Sequence, residues 1–180
     1  MKFDALNDFV LHSKVPEEII TKYEGKIPGQ IVEIWKNYGF GTFLKGYFKV
    51  INPDDYIEFI RESYFEQNCI PLLVTSFGDI IVWERNEFLY LICYRYNNFN
   101  SLCRGCDFFF DDIMDDSYVK DRIKPLNFTE SLNRLGPPNY DECFGYVPLL
   151  SLGGAEKPEN LQKVKLREHL ELMFQMQGRI

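Results

Sequence analysis

The residue pattern specifies an α+β fold in which helices pack around a mostly antiparallel sheet. Helical periodicity marks both ends of the chain, and the middle holds three apolar runs: Ile70 to Thr75, Ile80 to Glu84 and Phe88 to Tyr94. These runs are rich in β-branched and aromatic residues. Turn-length gaps, Phe77-Gly78-Asp79 and Arg85-Asn86-Glu87, separate them. Such gaps favour a meander and are too short for the crossovers that parallel strands need.

Phe3, Leu6 and Val10 fall at helical spacing and predict a short N-terminal helix. Pro16 opens a second helix, with Glu17 and Glu18 in its first turn and Lys22 and Gly25 at its end, the charge order a helix dipole favours. A third starts at Pro28. Ile31, Ile34, Trp35 and Tyr38 give it one apolar face, and Gly39 and Gly41 break it. Phe43 to Ile51 reads as extended, interrupted at Gly46. Asn52-Pro53-Asp54-Asp55 starts another helix, with Asn as cap and acids in the first turn. Tyr56, Phe59, Ile60 and Tyr64 form its buried face.

Ile80-Ile81-Val82-Trp83 shows no alternation, so both faces of that strand are expected to be covered and the strand to lie near the middle of the sheet. Tyr96 to Gly105 reads as a polar loop. Asp107 to Asp121 predicts one or two short helices. Asn127 to Leu135 predicts another, capped by Asn127 and stopped by Gly136. Glu159 to Lys165 is compatible with an extended segment. From Leu166 onward the chain is helical: Leu166, Leu170, Leu172, Met173, Phe174 and Met176 cover about half the wheel.

At 180 residues the chain can bury a substantial core without disulfides or metals. The 16 Phe and 11 Tyr read either as a bulky core or as a partner surface. Lys plus Arg is 20 against 27 Asp plus Glu, a net charge of −7. Without a basic run, direct nucleic-acid binding is disfavoured, because phosphate neutralisation supplies most such affinity. The charge suits a basic protein partner, or simply solubility. Met1 to Asn7 carries no apolar leader core, and no apolar run approaches the ~20 residues of a membrane span. Five cysteines, an odd number, fit a cytosolic chain with reduced thiols.

Candidates for chemistry are few. His12 and His169 are far apart in sequence, and His169 falls on the apolar arc of the last helix, as a core or interface histidine does. Cys103-Arg104-Gly105-Cys106 is a lone C-x-x-C. Incidental thiols are the simpler reading; half of a zinc site or a redox pair is the sharper one. Gly39-Phe40-Gly41 and Gly153-Gly154 continue into no phosphate-binding loop. Asp107, Asp111, Asp112, Asp115, Asp116 and Asp121 cluster among Phe108, Phe109, Phe110, Ile113 and Met114. They read as a solvated helix face or as an acidic recognition surface. Asp111, Asp112, Asp115 and Asp116 are the candidate partner-binding residues. No catalytic residue, cofactor-binding residue or metal ligand is assigned, and no cofactor is expected.

Arg134 to Lys157 is the most distinctive stretch. Gly136-Pro137-Pro138-Asn139 stops what precedes it. Tyr146-Val147-Pro148-Leu149-Leu150-Ser151-Leu152 is apolar but holds a proline, so it reads as an extended edge segment docked on a core. Gly153-Gly154 turns the chain.

Tyr140 to Lys157, Y-D-E-C-F-G-Y-V-P-L-L-S-L-G-G-A-E-K, followed by E-N-L-Q-K-V-K-L-R-E-H-L, resembles the C-terminal domain of bacterial immunity proteins that neutralise type VI secretion DNase effectors. W-K-N-Y-G-F-G-T-F-L, I-N-P-D-D-Y and F-G-D-I-I-V-W-E resemble the GAD-like domain that precedes it in that family. The resemblance covers nearly the whole chain. It implies a GAD-like region at 1–110 and an immunity-type region at 111–180, expected to form one body because no linker separates them. It also implies an immunity protein whose partner is a cognate toxin, a nuclease effector; composition and motifs add the expectation of a non-catalytic, cytoplasmic chain with no direct contact to nucleic acid or membrane. Two other readings stay open: an adaptor unrelated to toxins, and an enzyme using carboxylates or the C-x-x-C thiols.

Overall fold

The short gaps between successive apolar runs are realised as a seven-stranded antiparallel meander. The computed structural model describes residues 3–180. Its strands are β1 (Val10–Ser13), β2 (Phe40–Phe43), β3 (Phe48–Val50), β4 (Ile70–Thr75), β5 (Ile80–Glu84), β6 (Phe88–Cys93) and β7 (Asn98–Arg104). They lie side by side in chain order. A separate hairpin pairs β8 (Glu142–Tyr146) with β9 (Leu161–Lys165). The fold is α+β.

Alternation along the central strands sends side chains into two cores. Ile81, Leu89 and Leu91 face one, with α1 (Glu17–Tyr23), α2 (Gly29–Asn37) and α4 (Phe109–Asp112) packed over them through Ile20, Ile34, Trp35 and Phe109. Ile80, Val82 and Ile92 face the other, covered by α3 (Ile57–Ser63) and α7 (Leu166–Gln177) through Phe59, Ile60, Leu170 and Met173. Every residue of β5 is therefore buried, and its strand lies one place from the centre of the sheet.

The hairpin is built into the same body. Phe144 and Leu161 belong to the first core and Cys143 to the second. Phe144 N–H donates to the Ser76 carbonyl at 2.7 Å, which fixes β8 against the β4–β5 turn.

Several expectations are corrected. The predicted N-terminal helix is a single 3-10 turn at Asp4–Leu6, after which the chain becomes β1. Phe3 and Leu6 are buried, but Val10 is 64% exposed on the sheet edge. The helix α2 ends before Gly39, whose φ of +88° is left-handed, while Gly41 lies inside β2. There, and at Gly39, β1 passes so close that a side chain could not fit: a Cβ on Gly39 would stand 2.6 Å from the Ser13 carbonyl oxygen.

The predicted polar loop after Tyr96 is β7, paired with β6 from Phe88↔Arg104 to Cys93↔Asn98. As an exposed edge strand it lacks the apolar alternation that reveals a strand in sequence. Asn127 does not cap α6 (Phe128–Leu135): its backbone is left-handed, and its amide donates to the Tyr146 hydroxyl at 2.9 Å. The apolar run after Tyr146 is not an extended edge. β8 ends where the run begins, Val147–Pro148 is cis, and Leu150–Leu152 is a 3-10 turn. The buried arc of α7 is narrower than the half-wheel predicted. Leu166, His169, Leu170 and Met173 are buried, while Leu172 and Met176 are exposed.

Candidate functional site

The two histidines lie apart, and burial raises the pKa of the cysteine thiols. His12 lies on the exposed strand β1, stacked on Tyr140 with ring centroids 4.0 Å apart and planes 7° from parallel. His169 sits in the buried face of α7. All five cysteines are free. Burial pushes the Cys103 thiol up to about 11 and those of Cys69 and Cys143 to about 12, away from the thiolate a nucleophile needs. Cys103 donates to the Gly105 carbonyl at 3.4 Å, while Cys106 is buried. Among the described residues, no three His, Cys, Asp or Glu side chains are grouped to hold a metal ion.

Two buried charges occupy positions that periodicity does not mark. Arg95 Nε donates to Asp79 at 2.9 Å with both side chains almost fully buried. The guanidinium also donates to the Lys124 carbonyl at 2.9 Å and lies over the rings of Phe77 and Tyr96, at 4.2 and 4.7 Å. Burial raises the Asp79 pKa, and the Arg95 charge opposes that rise. The pair ties the start of β5 to the 3-10 turn at Tyr94–Tyr96 and to the π-helical turn at Val119–Ile123, which ends at Lys124.

Lys49, on β3, has no exposed surface. Its ammonium donates to the carbonyls of Asn139 at 2.6 Å, Tyr140 at 3.1 Å, and Glu142. Desolvation lowers its pKa to about 8. The Tyr140 hydroxyl in turn donates to the Val50 carbonyl at 2.8 Å. These contacts clamp the segment entering β8 onto the sheet. They are structural, since both partners are spent on each other.

The candidate acidic residues occupy one stretch of the surface chain. Phe109, Phe110 and Ile113 anchor it in the first core. Asp111 and Asp112 lie on α4; Asp115 and Asp116 lie at the start of α5 (Asp116–Tyr118). Asp111, Asp115 and Asp116 are exposed and Asp112 half-buried. Asp115 also has a local task. It accepts from Ser117 Oγ and from the Tyr118 N–H at 2.9 Å, and these bonds hold its carboxyl below the usual range. Beside the acids, Phe108 is 73% and Met114 51% exposed.

A GAD-like domain matches residues 2–93, and the family described as "T6SS immunity protein Tdi1, C-terminal" matches residues 104–177. The chain belongs to this family of GAD-like type VI immunity proteins. The crystal structure of Atu4351 from Agrobacterium tumefaciens has the same fold, with a TM-score of 0.79 and 21% identity over 99% of this chain and 89% of that one. No curated protein matches the chain.

In this immunity protein the acidic segment, the β8–β9 hairpin and α7 all fall within the 104–177 match. The clamp at Lys49 crosses from the GAD-like match into that region. No helix of the described residues is long and apolar enough to cross a membrane. The exposure of Phe108 and Met114 could not be read from sequence, because their apolar neighbours Phe109, Phe110 and Ile113 are core.

Proposed function

We propose that this chain is a non-catalytic inhibitor that binds a cognate nuclease effector and blocks its nucleic-acid groove. Residues 1–110 and 111–180 act in this as one body, in the cytoplasm, where the target nucleic acid lies. The observation carrying the proposal is the run of solvent-accessible carboxylates on α4 and α5, set within the immunity-family match and interleaved along the chain with exposed Phe108 and Met114.

A nuclease must present a basic surface to its polyanionic substrate. Asp111, Asp112, Asp115 and Asp116 place carboxylates where that surface expects phosphates, which speeds encounter and selects orientation. Phe108 and Met114 supply the desolvated contact that slows release.

The test is co-expression with the protein encoded beside this gene. Binding should rescue growth, yield a co-purifying complex, and show an association rate that falls steeply with salt. A neighbour that is toxic and remains equally toxic in the presence of this chain would remove the proposal.

A further inference from the structure

The apolar stretch after β8 forms a groove that the acidic face leaves unexplained. Val147, Pro148, Leu149 and Leu152 wall one side, and Leu172 of α7 contributes to the other. The cleft encloses about 330 Å³, at the small end of ligand sites and room enough for one large side chain. Val147, Leu152 and Leu172 are each about half exposed.

The floor holds one buried polar ring. His169 is 7% exposed, lines this groove, and is hydrogen-bonded by no group among the described residues. Its position is built in. A Cβ on Gly145 would stand 2.6 Å from His169 Cε1 and 2.8 Å from Nε2, so the glycine in β8 makes room for the imidazole. Burial alone pushes its pKa down to about 4. At neutral pH the ring therefore offers one N–H donor and one acceptor nitrogen.

An apolar wall over an unpartnered imidazole selects an occupant that is apolar along its body and polar at its tip. Tyrosine and tryptophan have that form and dominate interface anchors. One hydrogen bond links the groove to the proposed binding region: Tyr146 lines the groove, and Asn127, bonded to the Tyr146 hydroxyl, lines a second cleft with Asp116. A second copy of this chain is disfavoured as occupant by the charge of −7 that both copies would carry.

We propose that the groove between the β8 exit and α7 is an anchor pocket for a tyrosine or tryptophan side chain of the bound protein toxin, hydrogen-bonded to His169. This rests on the toxin-binding reading above.

Two arms test it on the full chain. The first titrates p-cresol, the tyrosine side-chain analogue, and toluene, which lacks the hydroxyl, while ring resonances of His169 are followed by NMR. His12, outside the groove, is the internal control. Saturable movement of His169 with p-cresol and roughly fivefold weaker binding of toluene are expected. An unmoved His169 overturns the proposal.

The second arm measures affinity for the toxin encoded beside this gene. Leu152→Asp/Leu172→Asp, at exposed positions, should weaken binding about 100-fold at unchanged Tm. Equal binding by wild type and variant overturns the pocket and leaves the toxin-binding reading standing. No binding by the wild-type chain removes both. Self-association lost in the variant would assign the groove to a second copy and also overturn the proposal.

Discussion

The ammonium of Lys49 donates to the Asn139 carbonyl across 2.6 Å although the lysine has no exposed surface. Through this contact and those to Tyr140 and Glu142, a strand of the GAD-like region holds the entry to β8. Lys49→Met should leave three carbonyls short of a donor and cost about 2–4 kcal/mol in urea unfolding. The pH dependence has a definite sign. The folded pKa, about 8, lies below the ordinary 10.5. Between these values the unfolded chain binds the proton and the folded chain does not, so this contribution to stability rises with pH. The wild-type minus Lys49→Met difference should grow from pH 8 to 10.

Asp79 and Arg95 form a buried ion pair. Removing one partner strands the other in the core. Arg95→Met is expected to destabilise by about 3–5 kcal/mol. Asp79→Asn/Arg95→Met should cost less than the sum of the single changes, because neither charge is then left alone. A double-mutant cycle by chemical denaturation reads this coupling directly.

Acid should find His169. Its folded pKa, about 4, is below the ordinary 6.5 because burial disfavours the imidazolium. Stability is therefore full above pH 6.5 and declines as pH falls toward 4, by up to about 3 kcal/mol from this residue. His169→Leu removes the titrating ring. Thermal melts of the two proteins at pH 7 and pH 4.5 should show the smaller acid loss in the variant.

The acidic face is expected to act on encounter and its apolar centre on release. Replacing Asp111, Asp112, Asp115 and Asp116 by lysine should slow association with the effector by about tenfold or more and flatten its salt dependence. Phe108→Ala should mainly speed dissociation. Because Asp115 also caps the turn at Tyr118, Asp115→Lys alone is expected to weaken that turn. Stopped-flow kinetics at two salt concentrations separates these effects.

Much of the architecture was legible because it is driven by burial. The runs at 70–75, 80–84 and 88–93 show their strands plainly, and the continuous burial of β5 follows from its lack of alternation. What escaped was structure held by pairing or close approach. β1 and β7 are exposed edges, stabilised by their neighbours rather than by an apolar face. Lys49, Asp79 and Arg95 look like surface residues in sequence, since nothing local announces that carbonyls or an opposite charge await them. The acidic cluster was visible as composition. Its exposed Phe108 and Met114, and the groove over His169, became visible only when the core had claimed the neighbouring side chains.

This chain is expected to inhibit by occupation, one molecule for each toxin. The most direct measurement titrates this chain against a fixed amount of the neighbouring effector while its nuclease activity is followed. A linear fall to zero at a 1:1 ratio, reversible on dissociating the complex, is the predicted result. Inactivation by a small fraction of an equivalent, or full nuclease activity at an excess of this chain, would contradict it.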